Sequence, residues 1–280
     1  MRVYEIPEGS KASKGRAIQN LINIEQDDKV KAFICTRDLK DEDYINNHFV
    51  IMATKKGTVK KTSLEQYSRP RQNGINAISI REGDELLEAK LTTGTSQIFL
   101  GLKSGKAIRF EESKTRPMGR TAAGVRGIRL ADDNDEVIGM VSVHNFDEEI
   151  LVVSANGYGK RSSIEDYRIT NRGGKGVKTI SITEKTGGLV AIKNVSDSDD
   201  LMIINKSGIA IRMSVEDLRV MGRATQGVKL INIKGNDSIA AVAKVMKEDD
   251  PMDENDIMNI EVNEEDGTGL DKDSPDETKE

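Results

Sequence analysis

Arg168-Ile-Thr-Asn-Arg172-Gly173-Gly174-Lys175-Gly176-Val-Lys178 is the stretch whose reading decides the fold. It joins an expected strand ending near Ser163 to another beginning at Val177. Gly173, Gly174 and Gly176 let the backbone take positive φ and come close to a partner, while Arg168, Arg172, Lys175 and Lys178 make that approach electropositive. One such loop says little, but this frame recurs. Arg116-Pro-Met-Gly-Arg120-Thr-Ala-Ala-Gly124-Val-Arg126 stands 52 residues earlier, and Arg219-Val-Met-Gly-Arg223-Ala-Thr-Gln-Gly227-Val-Lys229 stands 51 residues later. All three read Arg-x-x-x-Arg-x-x-x-Gly-Val-(Arg/Lys). A shorter version, Arg69-Pro-Arg71-Gln-Asn-Gly74-Ile, precedes them by about one period.

The period has a second landmark. Gly57, Gly105, Gly157 and Gly208 each sit in a two-residue turn signal between an apolar run and a basic or β-branched one. The flanking pairs are 49–54 with 58–62, 98–102 with 106–110, 150–154 with 158–163, and 201–204 with 209–213. Each pair reads as a β-hairpin. After each basic loop comes a third apolar run (75–80, 125–130, 177–182, 228–233), and after a polar turn a fourth (86–91, 137–143, 189–195, 239–245). Four antiparallel strands per ~50 residues describe a propeller-like blade, so the fold class is an all-β array of four-stranded antiparallel blades. Only single helical turns are expected, at 63–67, 163–167 and 214–218.

The ends differ from the middle. Residues 1–34 read as a partial blade: strands at 3–6, 17–24 and 30–34 around a basic loop with Lys11, Lys14 and Arg16. The chain is therefore expected to start inside a repeat and to be a piece of a larger protein. Residues 35–246 hold four full blades of the same domain. Residues 247–280 lose the period and read as a disordered acidic tail. From Glu248 to Glu280 there are 15 acidic and 2 basic residues; the rest of the chain has 40 basic and 32 acidic ones. The net charge of −5 thus conceals a body of +8 and a tail of −13. With one cysteine, Cys35, no internal disulfide is expected. No apolar run approaches the ~20 residues of a membrane span.

Basic glycine loops at one position of successive blades lie along one rim, and such a track suits the phosphates of duplex DNA. The candidate contacts are Lys11, Lys14, Arg16, Arg69, Arg71, Arg116, Arg120, Arg126, Arg168, Arg172, Gly173, Gly174, Lys175, Gly176, Lys178, Arg219, Arg223 and Lys229. No helix here suits a major groove, so binding is expected to tolerate any sequence and to favour DNA that bends. A protein-interaction propeller of the kelch kind is the other class, but it calls for aromatic anchors, and the chain has five Phe and no Trp.

These residues carry a family likeness. Arg172-Gly-Gly-Lys-Gly176 resembles the box Gln-Arg-Arg-Gly-Gly-Lys-Gly of the C-terminal domain of the DNA gyrase A protein, with Thr170 and Asn171 departing from it. Arg2-Val-Tyr, Gly57-Thr-Val-Lys-Lys-Thr62, Gly124-Val-Arg-Gly-Ile-Arg-Leu130, Asn156-Gly-Tyr-Gly-Lys-Arg161 and Gly222-Arg-x-Thr-Gln-Gly-Val228 are similar to stretches of that domain too. The resemblance implies a β-pinwheel, a propeller variant whose blades exchange strands and whose outer edge wraps DNA. It implies a role in ATP-dependent negative supercoiling by a type IIA topoisomerase, with the rest of the gyrase A protein and the gyrase B protein as partners. ATP and Mg2+ would serve elsewhere in that enzyme, in the bacterial cytoplasm on the chromosome. The sister domain of topoisomerase IV is the nearest alternative. By the family's count this chain begins in the second blade, so 170–176 is an incomplete copy of a box that belongs to the first.

No catalytic group is expected in the chain itself. His48 and His144 are far apart, Cys35 has no evident partner, and Gly173-Gly-Lys-Gly lacks the phosphate-loop frame. The five tyrosines, Tyr4, Tyr44, Tyr67, Tyr158 and Tyr167, read as packing residues. Asp132–Glu136 and Asp197–Asp200 read as polar strand connections, so no metal or other cofactor is expected here.

Overall fold

The computed structural model describes residues 3–10, 13–22, 24, 28–71, 73–233, 235 and 237–246. The acidic tail and Lys11 lie outside them. The strands are β1 (Phe49–Thr54), β2 (Thr58–Ser63), β3 (Leu86–Thr92), β4 (Gln97–Leu102), β5 (Lys106–Glu111), β6 (Val125–Arg126), β7 (Val137–Val143), β8 (Glu149–Ser154), β9 (Tyr158–Ser163), β10 (Val177–Lys178), β11 (Leu189–Val195), β12 (Asp199–Asn205), β13 (Ala210–Ser214), β14 (Val228–Lys229) and β15 (Ile239–Met246). The α-helix α1 (Glu42–Asn47) has no counterpart among the expected elements; Asp41 caps it by accepting from the Tyr44 amide at 3.1 Å.

Four antiparallel sheets form, and their order decides the topology: β3-β1-β2-β6, β7-β4-β5-β10, β11-β8-β9-β14 and β15-β12-β13. Each hairpin keeps its own fourth run as neighbour, but the short third strand comes from the following repeat. Val125 pairs with Val59, Val177 with Ala107 and Val228 with Gly159. Four consecutive runs therefore do not make one blade, and strand exchange links each sheet to the next repeat.

The third runs are also shorter than their apolar patterns suggest, two residues each. The cause is a close approach. Gly124, Gly176 and Gly227 adopt φ of 98°, 71° and 80°, and a Cβ on them would lie 2.5–2.6 Å from the carbonyl oxygens of Val59, Ala107 and Gly159. After two paired residues the chain turns in over the hairpin glycine. The Gly57 carbonyl accepts from Gly127 and Ile128, that of Gly105 from Thr179 and Ile180, and that of Gly157 from Leu230 and Ile231. Residues 75–80 form no strand; their partner hairpin would belong to the preceding repeat.

That preceding repeat is where expectation and structure part. Val3–Glu5 and Ile18–Asn20 are 3-10 turns, and among the described residues no strand precedes Phe49. Tyr4, expected to pack, is 75% exposed. A strand without a ladder partner leaves its polar backbone to water, and the turn is the better local solution.

The core is divided between sheets. Ile51, Val59, Ile98, Leu100, Ile108, Ile128 and Met140 fill the space between the first two. Phe99, Val141, Ile150, Val152, Tyr167, Ile180 and Ile192 fill the next, and Leu151, Val153, Val195, Leu201 and Ile203 the third. Successive residues such as Ile98 and Phe99 serve opposite faces, which is why these strands read as unbroken apolar runs. Strands β3, β7, β11 and β15 touch in succession, so the opposite sheet edges, with the exchanged strands and basic loops, face outward.

Candidate nucleic-acid interface

Three of the four basic loops dock on the hairpin of the repeat before them. The amides of Met118, Thr170 and Met221 donate to the carbonyls of Lys61, Arg109 and Arg161 at 2.8–2.9 Å. The loops then bond to one another at equivalent points. Ser79 N–H donates to Ala122 O (3.3 Å), Arg129 N–H to Gly174 O (2.8 Å) and Ser181 N–H to Thr225 O (3.0 Å). The four loops therefore stand in one row along the outer edges of the sheets.

Side chains reinforce the row. Arg172 spans back to the carbonyls of Lys114 (Nε, 2.9 Å) and Arg126 (Nη1, 3.1 Å). One repeat later Arg223 does the same to Asp166 (3.0 Å) and Lys178 (2.9 Å). In these two loops the second arginine of the recurring frame is a clamp between neighbouring loops. The first is different: Arg116, Arg168 and Arg219 are exposed, as are Arg69, Arg71, Arg126, Lys175, Lys178 and Lys229. None of the ion pairs among the described residues uses any of these nine side chains. A row of cations held close, with no ion-pair partner among the described residues, sets up a positive potential.

The family model for the DNA gyrase C-terminal domain, a β-propeller, matches residues 1–37, 48–93, 103–144, 148–196 and 199–246. The chain belongs to this family. It is 44% identical over 269 residues, 96% of its length, to the DNA gyrase A protein of Staphylococcus aureus strain NCTC 8325, and the strain COL protein matches to the same degree. The chain spans about 30% of the length of those relatives. Among solved structures, the C-terminal domain of a DNA topoisomerase IV superposes with a TM-score of 0.79 at 24% identity, over 94% of this chain and 79% of that one. A DNA gyrase A C-terminal domain superposes with 0.72 at 23% identity, over 84% and 76%.

Within this gyrase-type domain the loop glycines serve the packing of the loops. The Gly173 N–H is taken up by the Gly127 carbonyl at 2.5 Å, and Gly176 presses on the Ala107 carbonyl. Their first duty is loop packing. Clefts between loops add polar lining: Arg71, Asn73, Arg120 and Thr121 surround one, and Lys56, Arg81 and Arg126 flank another with Glu82 and Asp84. Arg120 is half-buried, and its carbonyl accepts from the Lys60 ammonium. Lys14 and Arg16 are exposed, and the loop-to-loop bonds begin only with Ser79 and Ala122. Arg129, exposed and bonded through its amide to Gly174, belongs to the row although it lies outside the recurring frame that singled out the others.

The hairpin cations escape sequence reasoning as a class. Lys60 and Lys160 are 0% exposed; Lys60 donates to the carbonyls of Ala77 (2.6 Å) and Arg120, and Lys160 to that of Gly222 (2.5 Å). Burial, with Arg120 adding repulsion, pulls Lys60 down to about 8. Burial does the same to Lys160, opposed by Asp166 and aided by Arg223. Arg109 reaches Gln97 and the carbonyls of Ile164 and Tyr167 (2.7 and 2.9 Å), and Arg161 reaches Leu218 O, Glu149 and Asp197. Basic residues three or four positions after the turn glycines, Lys60, Lys61, Arg109, Lys160 and Arg161, are the available signal.

The acidic turns have local work. Asp135 accepts from Ser104 N and Oγ and from Ala131 N, and Asp199 from Ser196 N and Oγ and from Lys244. They staple strand connections. Tyr167 is fully buried against Phe99, and its hydroxyl bonds Thr179. His144 bonds Ser96, and His48 the Tyr44 carbonyl.

Proposed function

We propose that this domain binds duplex DNA along the loop row and bends it around the outer edge of the sheets, as the C-terminal part of a gyrase A protein. The observation that carries the reading is the bonding of equivalent loops at 79/122, 129/174 and 181/225, which aligns nine exposed cations that enter no ion pair among the described residues. Phosphate contacts of this kind give affinity without reading bases. Bending a duplex costs on the order of 1–6 kcal/mol per 20–30 base pairs, which a row of contacts offsets and one loop does not. In the whole enzyme, the bent DNA would serve ATP-dependent negative supercoiling together with the rest of the gyrase A protein and the gyrase B protein, in the cytoplasm. ATP and Mg2+ would act there and not on this chain.

The test is a salt titration of duplex binding. With about 8 phosphates neutralised, log affinity should fall against log salt with a slope near −7. Weak binding at low salt that hardly changes up to physiological salt would overturn the reading. A topoisomerase IV origin is the second reading, favoured by the 0.79 superposition; the 44% identity to gyrase A supports the first.

A further inference from the structure

The first exposed arginine of each loop has a neighbour of constant character. Arg69-Pro70, Arg116-Pro117, Arg168-Ile169 and Arg219-Val220 place a stiff apolar residue directly after it. Pro70 and Pro117 are exposed, Ile169 is 48% exposed and Val220 51%. A single exposed valine or isoleucine needs no explanation. The same kind of residue at the same place in every loop of one row does. The next residue along shows no such constancy, being Arg71, Met118, Thr170 and Met221.

The backbone fixes where these residues stand. Pro117, Ile169 and Val220 form parallel bridges with Lys61, Arg109 and Arg161 of the preceding hairpins. The residue after each donates inward to the hairpin carbonyl, at 2.8, 2.9 and 2.8 Å. N–H groups alternate in direction along an extended chain, so positions 117, 169 and 220 turn theirs away from the hairpin, toward the rim. Proline, which has no N–H, fits there without losing a bond. Apolar surface is therefore what the three residues have in common. They are also stiff: proline has no rotamers to lose, and isoleucine and valine are restricted at χ1, so pressing them on a partner costs little side-chain entropy.

We propose that Ile169 and Val220, with Pro70 and Pro117 in the loops before them, are apolar seats for the duplex: they pack against its deoxyribose rings, between the phosphates held by the adjoining arginines. The sugar is the apolar part of a duplex that a side chain beside a phosphate contact can reach without entering the base stack. The inference rests on the DNA reading above and adds what the cations do not supply. Charge attracts a duplex from a distance in any shape and weakens with salt. An apolar contact acts only at close range and is not screened, so it forms only where the sugar–phosphate backbone lies against the rim. Loop after loop, such contacts favour the bent duplex over the straight one.

Binding of a mixed-sequence duplex to the full chain tests this. Ile169→Ser with Val220→Ser should weaken affinity about tenfold at fixed salt. The slope of log affinity against log salt should stay the same, because no cation is lost. The heat-capacity change of binding should become less negative, and energy transfer between labelled duplex ends should fall as the bend opens. The exchange Ile169→Val with Val220→Ile keeps the apolar surface and should match the unaltered chain in all three respects. A serine variant that binds and bends like the unaltered chain overturns the inference. A lost affinity that comes with a shallower salt slope overturns it too, since the residues would then act only by placing their arginines. So does a serine variant that no longer folds, because side chains this exposed would then be structural. Weak, salt-independent binding by the unaltered chain sinks the DNA reading and this inference with it, so that one curve tells the two failures apart.

Discussion

Two sets of basic residues that lie close together in the sequence do opposite jobs. Lys60, Lys61, Arg109, Lys160 and Arg161 on the hairpins are buried and grip carbonyls or carboxylates. Arg116, Arg168 and Arg219 on the loops are exposed and meet no acid among the described ion pairs. The hairpin set builds the rim and the loop set charges it. Counting basic residues would merge the two; the difference lies in what surrounds each nitrogen.

The comparison breaks most visibly at Arg161. Its guanidinium joins Leu218 O of the next repeat to Glu149 and Asp197. Arg161→Met leaves the buried carbonyl without a donor and takes the shared cation from Glu149 and Asp197, and should cost about 3 kcal/mol in denaturant unfolding. Glu149, whose carboxyl burial already pushes up, would then take up a proton more readily. The salt slope of DNA binding should not change, because no exposed cation is lost. A variant of native stability would show that the contact is incidental.

The loop set should respond in the opposite way. Replacing Arg116, Arg168 and Arg219 together by Ala should leave stability within about 0.5 kcal/mol per site. The salt slope, however, should shrink by about 3, one phosphate contact for each arginine. An unchanged slope would remove these three from the DNA track. The clamp arginines sharpen the contrast, since they belong to both sets. Arg223→Lys keeps the charge but has no planar fork to span Asp166 O and Lys178 O, so it should cost about 1 kcal/mol and weaken DNA binding without altering the slope. If Lys substitutes fully, the arginine acts as charge alone.

Much of this is legible in the sequence, and the reasons for the rest are physical. Hairpins around Gly57, Gly105, Gly157 and Gly208 announce themselves because turn and strand chemistry are local. The partner of Val125 is not local: a two-residue strand pairs equally well in pattern with its own hairpin or with the one before, and only the docking of Gly124 on Val59 O decides. The row of loops is legible as a repeat, but the split between Arg168 and Arg172 is not. Both are arginines in one frame, and only the carbonyls of Lys114 and Arg126, contributed by another repeat, set them apart. Lys60 and Lys160 are hidden for the same reason, since their carbonyl partners lie 17 to 62 residues away.

The smallest expected effect is a pH dependence that belongs to the hairpin set alone. Lys60 and Lys160 are both lowered from 10.5 to about 8 by burial. Below pH 8 they are charged whether the chain is folded or not, so stability does not change with pH on their account. Between about 8 and 10.5 the unfolded chain still holds their protons and the folded one has released them. Unfolding then takes up protons, and stability rises with pH across that window. Tyr167 works against this from about pH 10, because burial raises its hydroxyl to about 12 and the folded state keeps a proton that the unfolded state has lost. Unfolding midpoints measured from pH 7.5 to 11 should therefore climb and then turn over near pH 10. Lys160→Met should flatten the climb, whereas Arg168→Ala should leave the profile untouched. A stability that is level or falling from pH 8 to 10 would mean that the carbonyl cages hold these ammonium protons as well as water does, and the contrast between the two sets would then rest on burial alone.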